Sequence, residues 1–505
     1  MKRTLILALV AVLGFATSWA QEYFNLTAEE VSIGEHLPIF NHSIELGLDY
    51  SSSSYDVELQ YPQFIDMSKE DVARLKTMLT DSLPELPVVH KNLSVERKAG
   101  TLDVWFVPIV CRDGKYQKMV SFGLGLVRKP MARSAARADG MESRYAANSV
   151  LKDGKWVKIR VQDTGVYQIT HDLVRTAGFS SLDKVKVYGY GGALQPEKLT
   201  AEYIIATDDL KEVPTYSDGG RRLFKAQGPV SWSAKGERQR NTYSDYGYYF
   251  LTENDADPLV VDSATFVKSL YATPDIASPQ TTYALYEVDN FAWFHGGRHL
   301  FDSQTFGNGV SRDYSLNIRS DNGVGSITIA LTADGANSAS ITVNDTTFRM
   351  SIGAPGGYDA AMLVTKTFEL NCIANGENKV TIKQNGSSTM RLDYISMTST
   401  ATIAPPNLST DKFPTAEYVY GITNQNHHAD PIVDMVIIIP TTQKQRSYAE
   451  QLAEFHRTND NMTVNIVPAD ELYNEFSSGT PDATAYRRYM KMLYDRAATP
   501  EEAPK

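Results

Sequence analysis

The stretch DMVIIIPTTQKQRSYAEQLAEFHRTNDNMTVNIVPADELYNEFSSGTPDATAYRRYMKMLYDRA, from Asp434 to Ala497, decides the fold class of the C-terminal part. Asp434 to Ile439 is a short apolar run of strand length. Gln443 to His456 places Tyr448, Leu452 and Phe455 on one face of a helix, and Val464 to Val467 is a second strand. Thr480 as N-cap with Pro481 at the first position starts a further helix, whose Tyr486, Tyr489, Met490 and Leu493 share a face. Strand, helix, strand, helix is the order of a parallel α/β unit. A parallel sheet is stable only when both faces are covered, and two strands with their crossover helices do not achieve this. The polar, proline-containing tail Ala497–Lys505 reads as a loop toward a third strand, so the domain is expected to continue past Lys505.

Upstream of Pro405, Pro406 and Pro414 the pattern has period two. From Thr281 to Thr402, short alternating segments recur at Tyr314–Ile318, Ser326–Leu331, Ser340–Val343, Met362–Leu370, Lys379–Lys383 and Arg391–Met397, with turn signals at Asn375-Gly376 and Asn385-Gly386. That regular spacing predicts an antiparallel β-sandwich of jelly-roll type. Earlier still, Lys155 to Leu270 opens with alternating Val157, Ile159 and Val161 and is dense in tyrosine, which suits half-buried strands. Arg128 to Asn148 is rich in Arg, Ala and Ser and reads as an exposed linker, although Arg133, Arg137 and Arg144 could meet an acidic envelope component. Between Tyr23 and Lys129, Ser68 and Asp71 cap a helix predicted over Lys69–Leu83. Thr101–Val110 and Lys118–Val127 read as strands flanking an Asp113-Gly114 turn.

At the N-terminus Lys2 and Arg3 precede an apolar run from Leu5 to Phe15, and Ser18 and Ala20 supply the small residues of a cleavage site after Ala20. This predicts export by a signal peptide, because the run is shorter than the roughly 20 residues a membrane span needs. The expected fold is therefore multidomain and mainly β. Its parts are a signal peptide 1–20, a small α+β domain 21–129, a linker 130–154, a β-rich domain 155–270, a jelly-roll-like sandwich 271–404, a linker 405–433 and the start of an α/β domain 434–505. A formal net charge of -11 leaves no basic stripe to neutralise phosphates and argues against nucleic acid. Cys111 and Cys372 are the two cysteines; they fall in different predicted domains and read as inert core residues rather than a disulfide or a catalytic thiol.

Several short motifs invite a chemical reading. Asp163-Thr164-Gly165 matches the aspartic-protease triplet, but one copy cannot share a proton between two carboxylates, and a hairpin tip explains it. His295 and His299 have the spacing of a zinc pair but enclose Gly296 and Gly297 and no Glu, so a loop is expected. His427 and His428 with Asp430 could form a surface metal site, yet read as a solvated interdomain loop. Gly189, Gly191 and Gly192 follow the strand Lys184–Tyr188 in a spacing that fits no phosphate loop. On this reading residues 1–505 hold no catalytic residue, no cofactor site and no metal site.

KVYGYGG (Lys186–Gly192), DMVIIIPT (Asp434–Thr441), FSSGTPDATA (Phe476–Ala485) and MKMLYDRA (Met490–Ala497) resemble the sortases of the type IX secretion system, which are gingipain-type cysteine peptidases of Bacteroidota. WVKIRVQDTGVYQIT (Trp156–Thr170) is similar to the second domain of that family. The resemblance implies a caspase-like α/β domain from residue 434 and a place at the outer membrane and cell surface. It also implies thiol-based acyl transfer that removes the C-terminal sorting domain of secreted cargo and joins the cargo to anionic lipopolysaccharide. The implied partners are such cargo and the outer-membrane secretion components. The family's catalytic His and Cys follow later strands, and no position here matches them, Cys111 and Cys372 included. A secreted gingipain-like protease is an alternative. So is a carbohydrate- or protein-binding sandwich that uses Trp293, Phe294 and Tyr394.

Overall fold

The computed structural model describes residues 20–497 and 502–504, except 35, 49, 51–52, 79–82, 97–98, 131–143, 219, 234, 273–275 and 295–298. Of the expected signal peptide only Ala20 falls among them. Residues up to 143 with 432–434 and 493–505 form one compact unit, and 144–431 with 435–492 form the other.

In the first unit, Lys115–Pro130 pairs with Ala20–Asn25, Ser53–Asp66 and Ile109–Arg112, while Ala99–Phe106 lies between Phe40–Gly47 and His90–Glu96. Asp113 and Gly114 both have positive φ, +48° and +76°, the geometry a two-residue turn needs to match the twist of its strands. The single strand expected over Thr101–Val110 is two strands belonging to different sheets. Pro108, lacking an N–H, sits at the break, and its carbonyl accepts from Met119 N–H at 2.8 Å. Val104, Phe106, Met119, Phe122 and Leu124 pack together as the core. Helix Lys69–Met78 is capped as expected, Asp71 N–H donating to Ser68 Oγ at 3.0 Å, and buries Leu75.

In the second unit, Trp156–Val161 lies between Gly247–Glu253 and Glu417–Ile422, with Val185–Tyr188 on the outer side of Gly247–Glu253. Four expectations are corrected here. First, segment 405–433 is not only a linker, because Glu417–Ile422 adds a strand antiparallel to Trp156–Val161. Second, Asp163–Gly165 is not a hairpin tip. Gly165–Thr170 pairs with Arg221–Ala226 in a separate sheet, so the triplet is a corner between sheets. Third, linker 130–154 is structured at both described ends. Pro130 still pairs with Ser53, and Tyr145, Ser149 and Leu151 are buried. Fourth, the β-rich region carries three short helices, His171–Ala177, Ala201–Thr207 and Ser263–Ser269, N-capped by Thr170, Thr200 and Asp262.

The sandwich takes the expected form. One sheet runs Gln280–Glu287, Met390–Ala401, Gly325–Ala333, Met362–Leu370, with Thr305–Phe306 also on Met390–Ala401; the other runs Ser311–Ile318, Gly376–Gln384, Asn337–Val343, Thr346–Ile352. Every pairing between these strands is antiparallel. Alternate residues point inward, so Ile327, Ile329, Leu331, Ile341, Val343, Val380, Ile382 and Ile395 are fully buried in one core, each worth about 1.5–3 kcal/mol of apolar burial.

The C-terminal segment has the predicted parallel pair, Met435–Ile439 with Val464–Pro468, joined by helix Arg446–Asn459. Its details differ from the sequence reading. Tyr448, Leu452 and Phe455 are 70%, 45% and 56% exposed, and the helix buries Ala449 and Ala453 instead, whose small side chains let it approach the strands closely. An additional helix, Ala469–Phe476, follows the second strand. The last helix begins at Thr484, not Thr480, with Asp482 Oδ1 accepting from Thr484 N–H at 2.8 Å. Among the described residues no helix is long and apolar enough to cross a membrane.

Ile341→Ala should cost about 2–5 kcal/mol in urea unfolding of the sandwich, whereas exposed Arg349→Ala should stay within about 0.5 kcal/mol.

Candidate functional site

Two of the family-like stretches, Lys186–Gly192 and Phe476–Ala485, meet at one buried joint. Gly189 and Gly191 have φ of +128° and +84°, and a Cβ on Gly189 would lie 2.5 Å from Ser478 Oγ, one on Gly191 2.4 Å from Gln227 O. Only glycine fits this close approach. The turn therefore points its amides at Ser478, whose Oγ accepts from Tyr190 N–H at 2.9 Å and Gly191 N–H at 3.2 Å and donates to Tyr248 O at 3.0 Å. Thr480 Oγ1 donates to Gly191 O at 3.1 Å and accepts from Tyr248 N–H at 3.2 Å. The glycines serve a protein hydroxyl, not a phosphate.

A charged network backs this joint. Helix Ala469–Phe476 turns Glu475 inward, fully buried, where its Oε1 accepts from His427 N–H at 2.8 Å and Gln425 Nε2 at 3.0 Å. Its Oε2 accepts from His428 N–H at 3.0 Å and pairs with His428 Nδ1 at 2.6 Å. The other ring nitrogen of His428 faces Asp208 Oδ1 at 3.3 Å, and the ring stacks on Phe476 at 4.6 Å. His427 Nδ1 pairs with Asp430 Oδ2 and its Nε2 with Glu471 Oε2, both at 2.8 Å. The loop expected to be solvated is thus a packed joint, and the reason is that each ring nitrogen meets a carboxylate. Burial opposes the imidazolium charge, yet the bonds to Asp430 and Glu471 push His427 up to about 10, and those to Asp208 and Glu475 push His428 up to about 9. Burial also opposes the Glu475 charge, but His428 holds its carboxyl below the usual range. Flanked by carboxylates on both nitrogens, each ring favours the imidazolium form.

Two buried basic side chains complete the joint. Arg488 donates to Tyr190 Oη, Gln195 Oε1 and Thr207 O, each at 3.0 Å, and to Phe476 O at 2.9 Å. Lys158 donates to Asn474 Oδ1 at 3.2 Å and lies 4.6 Å from the centre of the Tyr248 ring; burial pushes its ammonium down to about 7, against the opposing charge of Asp470.

The remaining sequence candidates separate. Asp163 N–H donates to Tyr167 Oη at 3.0 Å, and Thr164 Oγ1 accepts from Gly228 N–H at 3.1 Å, so the triplet is committed to turn geometry. His295 lies outside the described residues, and His299 is an exposed residue on a cleft. Cys111 and Cys372 are free and half-buried. Trp293 donates to Thr332 Oγ1 at 3.0 Å, Arg238 covers the Tyr394 ring at 4.4 Å, and Phe294 is 61% exposed.

Sequence reasoning missed that cleft, of about 690 Å³, lined by Arg238, Arg240, Glu287, Asp289, His299 and Asp393 among others. Its basic side is the hairpin Val230–Trp232 with Arg238–Arg240, held to the sandwich by Trp232 stacked on Tyr283 at 4.4 Å. Arg238 pairs with Glu287, and Arg240 Nε with Asp289 Oδ2 at 2.8 Å. Burial pushes the Asp393 carboxyl up to about 7. The visible signal was the pair of charges two residues apart in Arg238-Gln239-Arg240 and Glu287-Val288-Asp289.

The histidines fix a pH dependence. Their folded values lie above the free-imidazole value, so the stabilisation they contribute is complete below about pH 6.5. It is lost as pH rises through about 9 to 10. His428→Ala should lower stability at pH 7 by about 3–5 kcal/mol, because Glu475 is left buried without its partner. It should also shrink the alkaline loss, as read by urea unfolding at a series of pH values.

Residues 428–505 match peptidase family C25, so the matched region begins at the buried His428. Among solved structures, dimeric latent PorU from Porphyromonas gingivalis aligns with a TM-score of 0.58 and 24% identity, over 72% of this chain and 42% of its own. This chain therefore spans less than half of that protein's length. A family 35 carbohydrate-binding module from Clostridium thermocellum aligns with a TM-score of 0.17 and 17% identity, over 24% of this chain and 99% of its own. One from Cellvibrio japonicus aligns with a TM-score of 0.18 and 16% identity, over 24% and 87%. At TM-scores this low the likeness carries no argument about function. No curated protein matches the sequence. The chain thus has a PorU-like fold over most of its length and ends in a segment that matches peptidase family C25.

Proposed function

We propose that this chain is the N-terminal part of a cell-surface cysteine peptidase or sortase of the type IX secretion system. One observation carries the reading. The segment that matches peptidase family C25 is built into the preceding β-rich region through Ser478, Glu475 and Arg488, with Gly189–Gly191 shaped to receive it. Such a joint gives a peptidase domain a rigid base. In this reading residues 1–20 direct export, 21–129, 155–270 and 271–404 are supporting domains, and 434–505 begins the peptidase domain. The catalytic Cys and His belong to the remainder of that domain. The thiolate attacks the carbonyl at the junction of cargo and C-terminal sorting domain, the peptide C–N bond breaks and the sorting domain leaves as an amine protonated by His, and an amine of lipopolysaccharide or water then displaces the thiolate from the thioester.

Deleting the gene in its host should leave secreted cargo carrying intact C-terminal sorting domains, detected by mass spectrometry of the surface fraction, and should abolish lipopolysaccharide attachment. Normally trimmed and attached cargo in the deletion strain would contradict the proposal.

A further inference from the structure

The cleft between the Arg238–Arg240 strand and the sandwich holds an arrangement that internal ion pairing leaves unsatisfied. Glu287 ends the first strand of its sheet, Asp289 follows two residues later, and Asp393 projects from the adjacent strand Met390–Ala401. One carboxylate oxygen from each lies within 4.8 Å of the others. Two ligands on one ion, each at about 2.3–2.6 Å, span at most about that distance.

The surrounding charges do not settle the cluster. Arg238 engages Glu287 through Nε at 3.1 Å and through Nη2. Arg240 engages Asp289 Oδ2 at 2.8 Å and Asp245 Oδ1 at 2.7 Å. Four carboxylates, those of Asp245, Glu287, Asp289 and Asp393, line the cleft against the guanidinium groups of Arg238 and Arg240. Asp393 is the group left over. It is only 7% exposed, lines the cleft, and has no hydrogen-bond or salt-bridge partner among the described residues. A carboxylate buried in this way without a donor is costly unless something fills the place of the donor.

We propose that Asp393, Asp289 and Glu287 form a binding site for a divalent cation of the calcium type. The donor set is all oxygen, which selects a hard cation over zinc or copper. Among hard cations, calcium tolerates irregular geometry and fills the rest of its shell with water or neutral oxygens, whereas magnesium demands a near-ideal octahedron. The cleft offers such oxygens on Asn241, Thr242 and Ser244, and its volume of about 690 Å³ admits water. Bound there, the ion would join Asp393 to Asp289 and Glu287, beside the hairpin that Arg238 and Arg240 already hold. The site ties the end of strand Gln280–Glu287 to strand Met390–Ala401 and takes no part in peptide-bond chemistry.

The test is calcium titration of the full chain by calorimetry, with terbium luminescence sensitised by nearby tyrosines such as Tyr394 as a second readout, and thermal unfolding in calcium against EDTA. The expected result is one saturable site and a melting temperature a few degrees higher in calcium. Asp393→Asn should weaken binding by at least about tenfold, while Asp313→Asn, on an exposed sandwich strand, should bind as the parent does. Should Asp393→Asn fail to fold, Asp289→Asn carries the same expectation. A folded parent chain that binds neither calcium nor terbium at millimolar concentration would overturn the proposal. So would a folded Asp289→Asn or Asp393→Asn variant that binds as tightly as the parent.

Discussion

The structure around the C-terminal segment depends on how one buried carboxylate is satisfied. Glu475 is fully buried and would be severely destabilising alone. It is tolerable because two backbone amides, the Gln425 amide group and the His428 ring all turn toward it. Those donors come from a segment some fifty residues earlier in the chain, so helix Ala469–Phe476 cannot leave its place without stranding a charge. Asp208 on the far side of His428 extends the constraint back to the β-rich region. The result is a rigid connection made from polar groups, where an apolar interface would have held the parts together without fixing their register.

Polar joints of this kind recur in the second unit. Arg222, 2% exposed, donates to the carbonyls of Val185 and Asp183, and Arg221 donates to Leu408 O at 2.6 Å and Asp411 O at 2.8 Å. Segments that seem from sequence to be connectors are in this way bonded to neighbouring sheets. The sandwich is organised differently. Its core is mainly apolar, with Ile, Leu and Val alternating inward, and the polar side chains it buries, such as Asn378 and Gln384, are few beside them, so its stability follows chiefly from burial.

That difference explains what could be read from the sequence. Met362–Leu370 coincides with its predicted bounds, and the other predicted sandwich strands agree to within a few residues, because each strand carries its own period-two signal between turn residues. Glu417–Ile422 was missed because its role is set by Trp156–Val161, more than 250 residues away in the chain, and nothing in EYVYGI announces that partner. Helix Ala469–Phe476 was missed because its buried face mixes Leu472 and Phe476 with Asn474 and Glu475, which breaks the apolar periodicity. The same blindness placed His427 and His428 in solvent, since charged groups are normally exposed and only the facing carboxylates reveal otherwise. On helix Arg446–Asn459 the largest apolar residues pointed to the wrong face, because Ala449 and Ala453 allow the closer packing.

The central claim is that residues 435–492, the greater part of the C25-matching segment, form one structural body with the β-rich region, locked by the Glu475 network and the Ser478 contacts. Native-state hydrogen exchange measures this most directly. The account predicts that the amides of Tyr190, Gly191, His427 and His428 exchange with the same high opening free energy as the strand Gly247–Glu253 and as helix Ala469–Phe476. Exchange of residues 469–492 at a much lower free energy, with Tyr190 and Gly191 exposed in the same opening while the strand stays protected, would contradict it.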